Sequence, residues 1–279
     1  MSPRLIETVA ALRAEVAAYR SAGEKVALVP TMGALHEGHI ALVNQARTLA
    51  RRVIVSIFVN PTQFAPNEDF SRYPRTLEAD TAKLKEAGAD LIYLPDAREM
   101  YPDGFSTAIT LSGPALGLET DFRPHFFSGV AIVVAKLFLQ SGADFAVFGE
   151  KDYQQLKVVT RMADDLNIPI AVVPGPTVRE ADGLALSSRN RYLSAQERAT
   201  APVIARSLTT AAEAIRAGMP AAEAVQQARD AIASAGLRVD YVEARHAESL
   251  APLSGAQEPV RLLAAAWLGT TRLIDNVGV

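Results

Sequence analysis

Apolar residues along this chain recur with two different periods, and the alternation of the two predicts the architecture. Ile6, Val9, Leu12 and Val16 are spaced as one face of a helix, so residues 5–21 read as an amphipathic helix ending near Gly23. Val26–Val29 is a short branched apolar run, the pattern of a buried parallel strand, and Pro30 should stop its ladder because it has no N–H. Gly33 permits a sharp turn, and from about Leu35 a helical pattern runs to about Arg51. Further strands are expected at Val53–Val59, Ala89–Leu94, Phe145–Phe148 and Ile170–Val173, with helices at Thr76–Ala87, Ser128–Leu139 and 153–166. Residues 102–122 are punctuated by glycine and proline and read as irregular apart from a short strand near Thr107–Leu111. Strand, helix, strand repeated in this way is the signature of an α/β domain with a doubly wound parallel sheet.

The pattern changes after Pro174-Gly175-Pro176, a run that should admit no regular element. The boundary is placed there, with one domain over 1–175 and a smaller α+β domain over 176–279. The second part shows two alanine-rich helices, about 195–217 and 220–235. Three strands follow, near Arg238–Ala244, Arg261–Leu268 and Thr271–Asn276.

Composition narrows the function. Hydrophobic residues make up 49% of 279, enough for a real core and unlike a disordered chain. With 28 basic and 31 acidic residues, a net charge of −3 argues against a nucleic-acid groove or a membrane-surface role. No apolar run reaches membrane-spanning length, since Lys136 interrupts Val130–Leu139, and Glu7 and Glu15 in the first helix are unlike a signal peptide. Zero cysteines exclude disulfides and thiol chemistry and fit a cytoplasmic location.

The chemistry gathers at predicted strand ends. His36 and His39 lie one turn apart at a helix N-terminus, just past the carboxyl end of a strand. Open α/β sheets place ligands there, and helix N–H groups attract phosphate. The pair reads as phosphate contacts, with Gly38 letting a flat base lie against the backbone. Zinc is a weaker reading, because the metalloprotease motif needs one more residue between its histidines. Asn60-Pro61-Thr62-Gln63 follows a second strand and Gly149-Glu150-Lys151-Asp152-Tyr153-Gln154-Gln155 a third. Leu186-Ser187-Ser188-Arg189-Asn190 follows the boundary. Lys151 and Arg189 supply positive charge, Ser187 and Ser188 supply donors, and Asn60, Gln63 and Gln155 are neutral amides suited to orienting a hydroxyl-rich small molecule. Taken one at a time, the segments have plainer readings: a solvated turn at Gly149, a helix cap at Ser187–Asn190, an ordinary turn at Asn60-Pro61. Their joint placement favours a triphosphate site. Neither a Walker A loop nor the dinucleotide glycine fingerprint is present.

These segments also carry a resemblance. His36-Glu37-Gly38-His39 resembles the HIGH motif of the nucleotidyltransferase superfamily, and Leu186-Ser187-Ser188-Arg189 its KMSKS counterpart. Within that superfamily, the stretches from Pro30 to His39, Phe58 to Phe64, Phe148 to Leu156 and Asp182 to Asn190 resemble the pantoate–β-alanine ligase family nearly end to end. The resemblance implies a Rossmann-like N-terminal domain, a mobile C-terminal lid and a cytoplasmic homodimer. It implies condensation of pantoate with β-alanine using ATP and Mg²⁺, through a pantoyl-adenylate, with release of AMP and pyrophosphate. By position it assigns ATP binding to Met32, Gly33, Ala34, Leu35, His36, Glu37, Gly38, His39, Gly149, Glu150, Lys151, Asp152, Val178, Leu186, Ser187, Ser188 and Arg189. His39 would be a proton donor, and Gln63 and Gln155 would hold pantoate. Two positions depart from the family pattern: Phe126 stands where many members have histidine, with His125 one place earlier, and Leu186 replaces a frequent methionine. No carboxylate cluster marks a protein-built metal cage, so Mg²⁺ is expected to ride on phosphate and water. An adenylyltransferase that stops at a nucleotide product and a non-catalytic nucleotide-binding regulator are the competing readings. A class I tRNA synthetase is disfavoured by the acidic balance and the missing anticodon domain.

Overall fold

Four residues at the start of the second strand, Val26 to Val29, have no exposed surface at all. Burial on both faces is what a central parallel strand requires, and the sheet is built outward from it. The computed structural model describes residues 2–64, 68–255 and 258–279. The chain forms two compact units, one of Met1–Leu111, Arg123–Glu150 and Val158–Pro176, the other of Ser112–Phe122, Lys151–Lys157 and Thr177–Val279.

The first unit is a six-stranded parallel sheet with helices. Its strands are β1 (Arg4–Ile6), β2 (Val26–Thr31), β3 (Arg52–Ile57), β4 (Leu91–Tyr93), β5 (Phe145–Gly149) and β6 (Ala171–Gly175). Its helices are α1 (Val9–Ser21), α2 (Glu37–Leu49), α3 (Leu77–Ala87), α4 (Ala97–Met100) and, after the short α5 (Glu119–Phe122) of the second unit, α6 (Phe126–Ser141). The spatial order β1-β4-β3-β2-β5-β6 runs one way from β2 through β3 and the other way through β5. The topological switch point therefore lies between β2 and β5, where such sheets bind ligands beyond the strands' carboxyl ends. Register makes three of those ends level: Thr31 pairs with Ile57, and Ala27 with Phe145, which brings Gly149 alongside. Val43 and Ala46 of α2 and Leu84 of α3 cover one face with Val29, Val53, Val55 and Ile92.

Several expectations need correction. The opening helix begins at Val9, and Arg4–Ile6 is an edge strand on β4, too short to show a period. Pro30 does not stop its strand. It holds register with Ser56, and Thr31 continues the ladder, because the β5 side is already unpaired beyond Leu28 and a missing N–H costs little there. Thr107–Leu111 has no regular structure; the carbonyl of Ile109 instead accepts the Ser128 hydroxyl at 2.7 Å. Pro174 and Gly175 lie inside β6, an edge strand paired only with β5, where a proline is tolerated. Gly175 is required there, since a Cβ would collide with Leu42 Cδ2.

Helix α7 (Tyr153–Asp165) follows the turn after β5, and the division between units passes through it after Lys157. The second unit packs α8 (Ala195–Thr200), α9 (Val203–Arg216) and α10 (Ala221–Ser234) with an antiparallel sheet of β7 (Arg238–His246), β8 (Val260–Leu268) and β9 (Thr271–Gly278). The single helix expected over 195–217 is broken at Ala201-Pro202, because a proline cannot donate within a helix. Ile204, Leu208, Ala212, Ile232, Leu262 and Ala264 form its core. Residues 112–122 join this unit through a buried polar group. Arg272 Nη1 donates to both oxygens of Glu119 at 2.8 Å and its Nε to Asp240 at 2.8 Å. The Tyr241 hydroxyl donates to Glu119 at 2.9 Å.

Candidate functional site

Gly33 and Ala34 turn the chain out of β2 with positive φ, +80° and 51°. A Cβ at Gly33 would stand 3.1 Å from Ile57 and 3.2 Å from Asp80, so glycine fits both the dihedral and the space. His36 then takes an extended conformation as N-cap of α2. The two imidazoles cap the helix reciprocally. Gly38 N–H donates to Nδ1 of His36 at 3.2 Å and His36 N–H donates to Nδ1 of His39 at 3.3 Å, with ring centroids 4.1 Å apart. An imidazole that accepts at Nδ1 carries its proton on Nε2, so the cap fixes the tautomer of both rings and makes each Nε2–H a donor. The pair is a built feature of the helix start, not two surface histidines that happen to be near each other.

The neighbouring residues differ in exposure and in what their backbone groups bond. Gly33, Ala34 and Leu35 are buried, and the N–H groups of Ala34 and Leu35 donate to Asp80 at 2.9 and 2.8 Å. These three support the turn from within. Met32, His36, Gly38 and His39 are half-buried and Glu37 is exposed.

The second cluster leaves β3. Asn60 is 1% exposed and caps the short turn Pro61–Gln63. Its amide is fully engaged: Nδ2 donates to the carbonyl of Gly129 at 3.0 Å and to Gln63 Oε1 at 3.3 Å. Its Oδ1 accepts from Thr62 N–H at 3.3 Å, the Thr62 hydroxyl at 3.0 Å and the Tyr101 hydroxyl at 2.8 Å. Burial raises Tyr101 above the ordinary tyrosine value, opposed by its bond to Thr62, which keeps it a neutral donor. Asn60 is thus a buried brace for its neighbour Gln63. The brace also decides which end of Gln63 is which. Gly129 O only accepts and Thr62 N–H only donates, so the Asn60 amide has one possible orientation. Its Nδ2 then requires an acceptor on Gln63, which must be Oε1. Gln63 Nε2 faces Met32 Sδ at 3.1 Å, so Gln63 offers N–H groups outward from this network. Gly129 makes the arrangement possible, since a Cβ there would lie 2.5 Å from Thr62 O. Arg123 completes it, donating to Glu68 at 2.6 Å twice and to the Gln63 carbonyl at 3.3 Å while lying 3.8 Å over the Phe126 ring. Phe126, where many relatives were expected to carry histidine, therefore supports Arg123, and His125 is exposed.

The remaining expected residues belong mostly to the second unit. Gly149 and Glu150 close a segment of the first unit, and Lys151, Asp152 and Gln155 lie in the segment Lys151–Lys157 of the second. The Lys151 carbonyl accepts from Asn276 Nδ2 at 2.9 Å. Gln154, next to Gln155, is buried, donating to the carbonyls of Pro114 and Gly117 and accepting from Glu119 N–H. Val178 and Leu186 are brought together, Leu186 N–H donating to Val178 O at 3.0 Å across a hairpin held by Arg179 on Asp275 at 2.6 and 2.8 Å. Ser187 caps the turn Ser188–Tyr192 by accepting from Arg189 N–H, whereas α8 has its own capping box in Ser194 and Glu197. The serines are therefore not the cap of α8. Asp80, Lys83, Tyr101, Gly129 and Arg123 escaped sequence reasoning. No local motif distinguishes Asp80 from any acid in a helix's first turn.

The model of the pantoate-beta-alanine ligase family matches residues 4–278. The chain belongs to that family. It is 58% identical to a pantothenate synthetase of a Bradyrhizobium species over 280 residues, covering 100% of this chain and 99% of the relative. It is 55% identical to one of Rhodopseudomonas palustris, covering 99% of each. Among solved structures, the pantothenate synthetase of Thermus thermophilus superposes with a TM-score of 0.92 at 49% identity, covering 98% of both chains. The pantoate-beta-alanine ligase of Francisella tularensis, described as complexed with beta-gamma ATP and beta-alanine, gives 0.82 at 32% identity, covering 99% of this chain and 97% of its own. In this ligase-family chain, the histidine cap at the switch point and the Asn60–Gln63 brace lie on the level strand ends of one sheet edge.

Proposed function

We infer that this protein is a pantoate–β-alanine ligase, condensing pantoate with β-alanine at the expense of ATP. The match to the ligase family across residues 4–278 carries the reading, and the tautomer-fixed histidine pair at the switch point supports it. A carboxylate oxygen of pantoate attacks the α-phosphorus of ATP, the bond to the bridging oxygen breaks, and pyrophosphate leaves. The β-alanine amine then attacks the acyl carbon of the pantoyl-adenylate, forming the amide as AMP departs and the amine gives up its proton. His36 and His39 use their Nε2–H groups as hydrogen-bond donors toward phosphate oxygens as charge develops. Lys151, Ser187, Ser188 and Arg189 add charge and donors. Gln63, presenting N–H, holds an oxygen of pantoate, and Gln155 is the second amide for that acid.

Among the described residues no three acidic or imidazole groups converge on a metal site. The described side chains do not build a Mg²⁺ cage; Mg²⁺ would accompany ATP on phosphate and water. No helix among the described residues is long and apolar enough to cross a membrane. A cytoplasmic homodimer belongs to the same proposal and rests on the family resemblance. The deciding experiment measures ATP turnover with pantoate and β-alanine added separately and together. Pantoate alone should support pyrophosphate exchange, and both acids together should give AMP and an amide in equal amounts. Exchange that ignores pantoate would refute the assignment. Turnover ending at a stable adenylate would point to a plain adenylyltransferase.

A further inference from the structure

Asp80 is a carboxylate with 2% exposure, in the first turn of α3, too deep to touch a substrate. Its Oδ2 accepts from Ala34 N–H at 2.9 Å and its Oδ1 from Leu35 N–H at 2.8 Å, a grip on two consecutive peptides, and the Thr76 hydroxyl adds a bond to Oδ2 at 3.1 Å. One turn along the same helix, Lys83 Nζ donates to the Leu35 carbonyl at 2.7 Å. The spacing of three residues puts both side chains on one helix face. Together they hold the backbone of the turn that immediately precedes His36. Ala34 is held there at φ 51°, a conformation that an alanine adopts only when its surroundings impose it. The N–H of His36 is itself the donor to His39, so any rotation of the 35–36 peptide moves both rings.

We propose that Asp80 and Lys83 are positioning residues for adenylation. They fix the peptides that orient the His36–His39 cap, and by accepting from the Ala34 and Leu35 N–H groups Asp80 leaves phosphate recognition to the imidazoles. The inference rests on the reading of those histidines as ATP contacts. It gives α3, an element with no motif of its own, a catalytic duty exercised through the turn. A misplaced group loses rate far more readily than it loses binding, because the effect falls on the geometry of the reacting complex.

The test compares Asp80→Asn, Lys83→Met and His39→Gln with the parent. Two readouts are used: side-chain ¹⁵N–¹H correlations of the histidines, and pantoate-dependent pyrophosphate exchange. With four histidines in the chain, single substitutions assign the two signals. The parent should show both rings protonated at Nε2. Asp80→Asn, which keeps volume but offers one acceptor for two N–H groups, should shift both rings toward a mixture of tautomers. It should lower kcat for exchange by about 10- to 100-fold with the KM for pantoate little changed. Lys83→Met removes only the Leu35 bond and should move both readouts the same way by about threefold to tenfold, keeping the test alive if Asp80→Asn does not fold. Imidazole signals unchanged in the folded variants would overturn the proposal, as would shifted signals with parental exchange. Full exchange activity in His39→Gln would instead sink the reading of the histidines themselves, so the two failures are distinguishable.

Discussion

Removing Asn60 should cost the protein its hold on pantoate through a residue that Asn60 merely orients. In Asn60→Ala, Gln63 Oε1 loses its donor and the carbonyl of Gly129 loses a side-chain donor, while Thr62 N–H and the Tyr101 hydroxyl lose the Asn60 acceptor. At 1% exposure these groups are shielded, so stability should fall by about 1–3 kcal/mol, less where water enters. The functional effect is separate. Once Oε1 has no fixed donor, the Gln63 side chain samples other rotamers as well as both amide orientations, so only a small fraction presents an N–H to an oxygen of the acid. Losing one substrate hydrogen bond of about 1–2 kcal/mol corresponds to a rise of about 5- to 30-fold in KM for pantoate. Gln63→Ala should cost a similar amount, and Gln63→Glu more, because a carboxylate cannot donate and repels an anionic substrate. Since both residues act through one contact, the double substitution Asn60→Ala/Gln63→Ala should be no worse than the poorer single, giving a coupling energy of about 1–2 kcal/mol. The assay is pyrophosphate exchange against pantoate concentration, with unfolding midpoints measured in parallel. Strictly additive effects on KM would show that Asn60 meets the substrate independently. Gln63→Glu with parental KM would show that Gln63 does not donate, and either result refutes the reasoning.

Other outcomes are equally definite. Gly129→Ala drives a methyl to 2.5 Å from a backbone carbonyl and should cost about 1–3 kcal/mol while raising KM for pantoate, as read by denaturant melts and kinetics. Lys151→Ala should lower kcat for adenylation by about 10²–10³ with unfolding unchanged, and near-normal exchange would dismiss its electrostatic role. Burial and the adjacent Glu119 raise Tyr241 well above its usual value, while the unfolded chain titrates near the ordinary one. The folded state therefore holds the proton longer; the stabilisation is complete below about pH 10 and is lost above it, by up to about 1.4 kcal/mol per pH unit. Tyr241→Phe should flatten that alkaline slope, measurable as urea midpoints from about pH 8.5 to about pH 11.5, a window that brackets the ordinary tyrosine value; an unchanged slope would assign it elsewhere.

Alternation of periods was enough to recover an α/β sheet followed by a smaller α+β part, because a central strand such as Val26–Val29 must be apolar on both faces whatever its neighbours are. The placement of the histidine pair was legible for the same kind of reason: a strand, a glycine turn and a helix start form one local unit. Local chemistry misled where partners were remote. Pro30 and Pro174 sit in strands because the sheet leaves those positions unpaired on one side, a fact of strand order that no window of sequence contains. Asn60 reads from sequence only as an amide at a strand end. The approach of Gly129 and Tyr101, 69 and 41 residues away, engages its hydrogen bonds and makes it a brace for Gln63. Asp80 carries no signal at all in its own helix. Its importance comes from two peptides 46 and 45 residues earlier, which only packing brings to it. Sequence determined which residues have the right functional groups. Tertiary structure decided which of those groups are already occupied, because a buried donor or acceptor must be satisfied by whatever the fold places beside it.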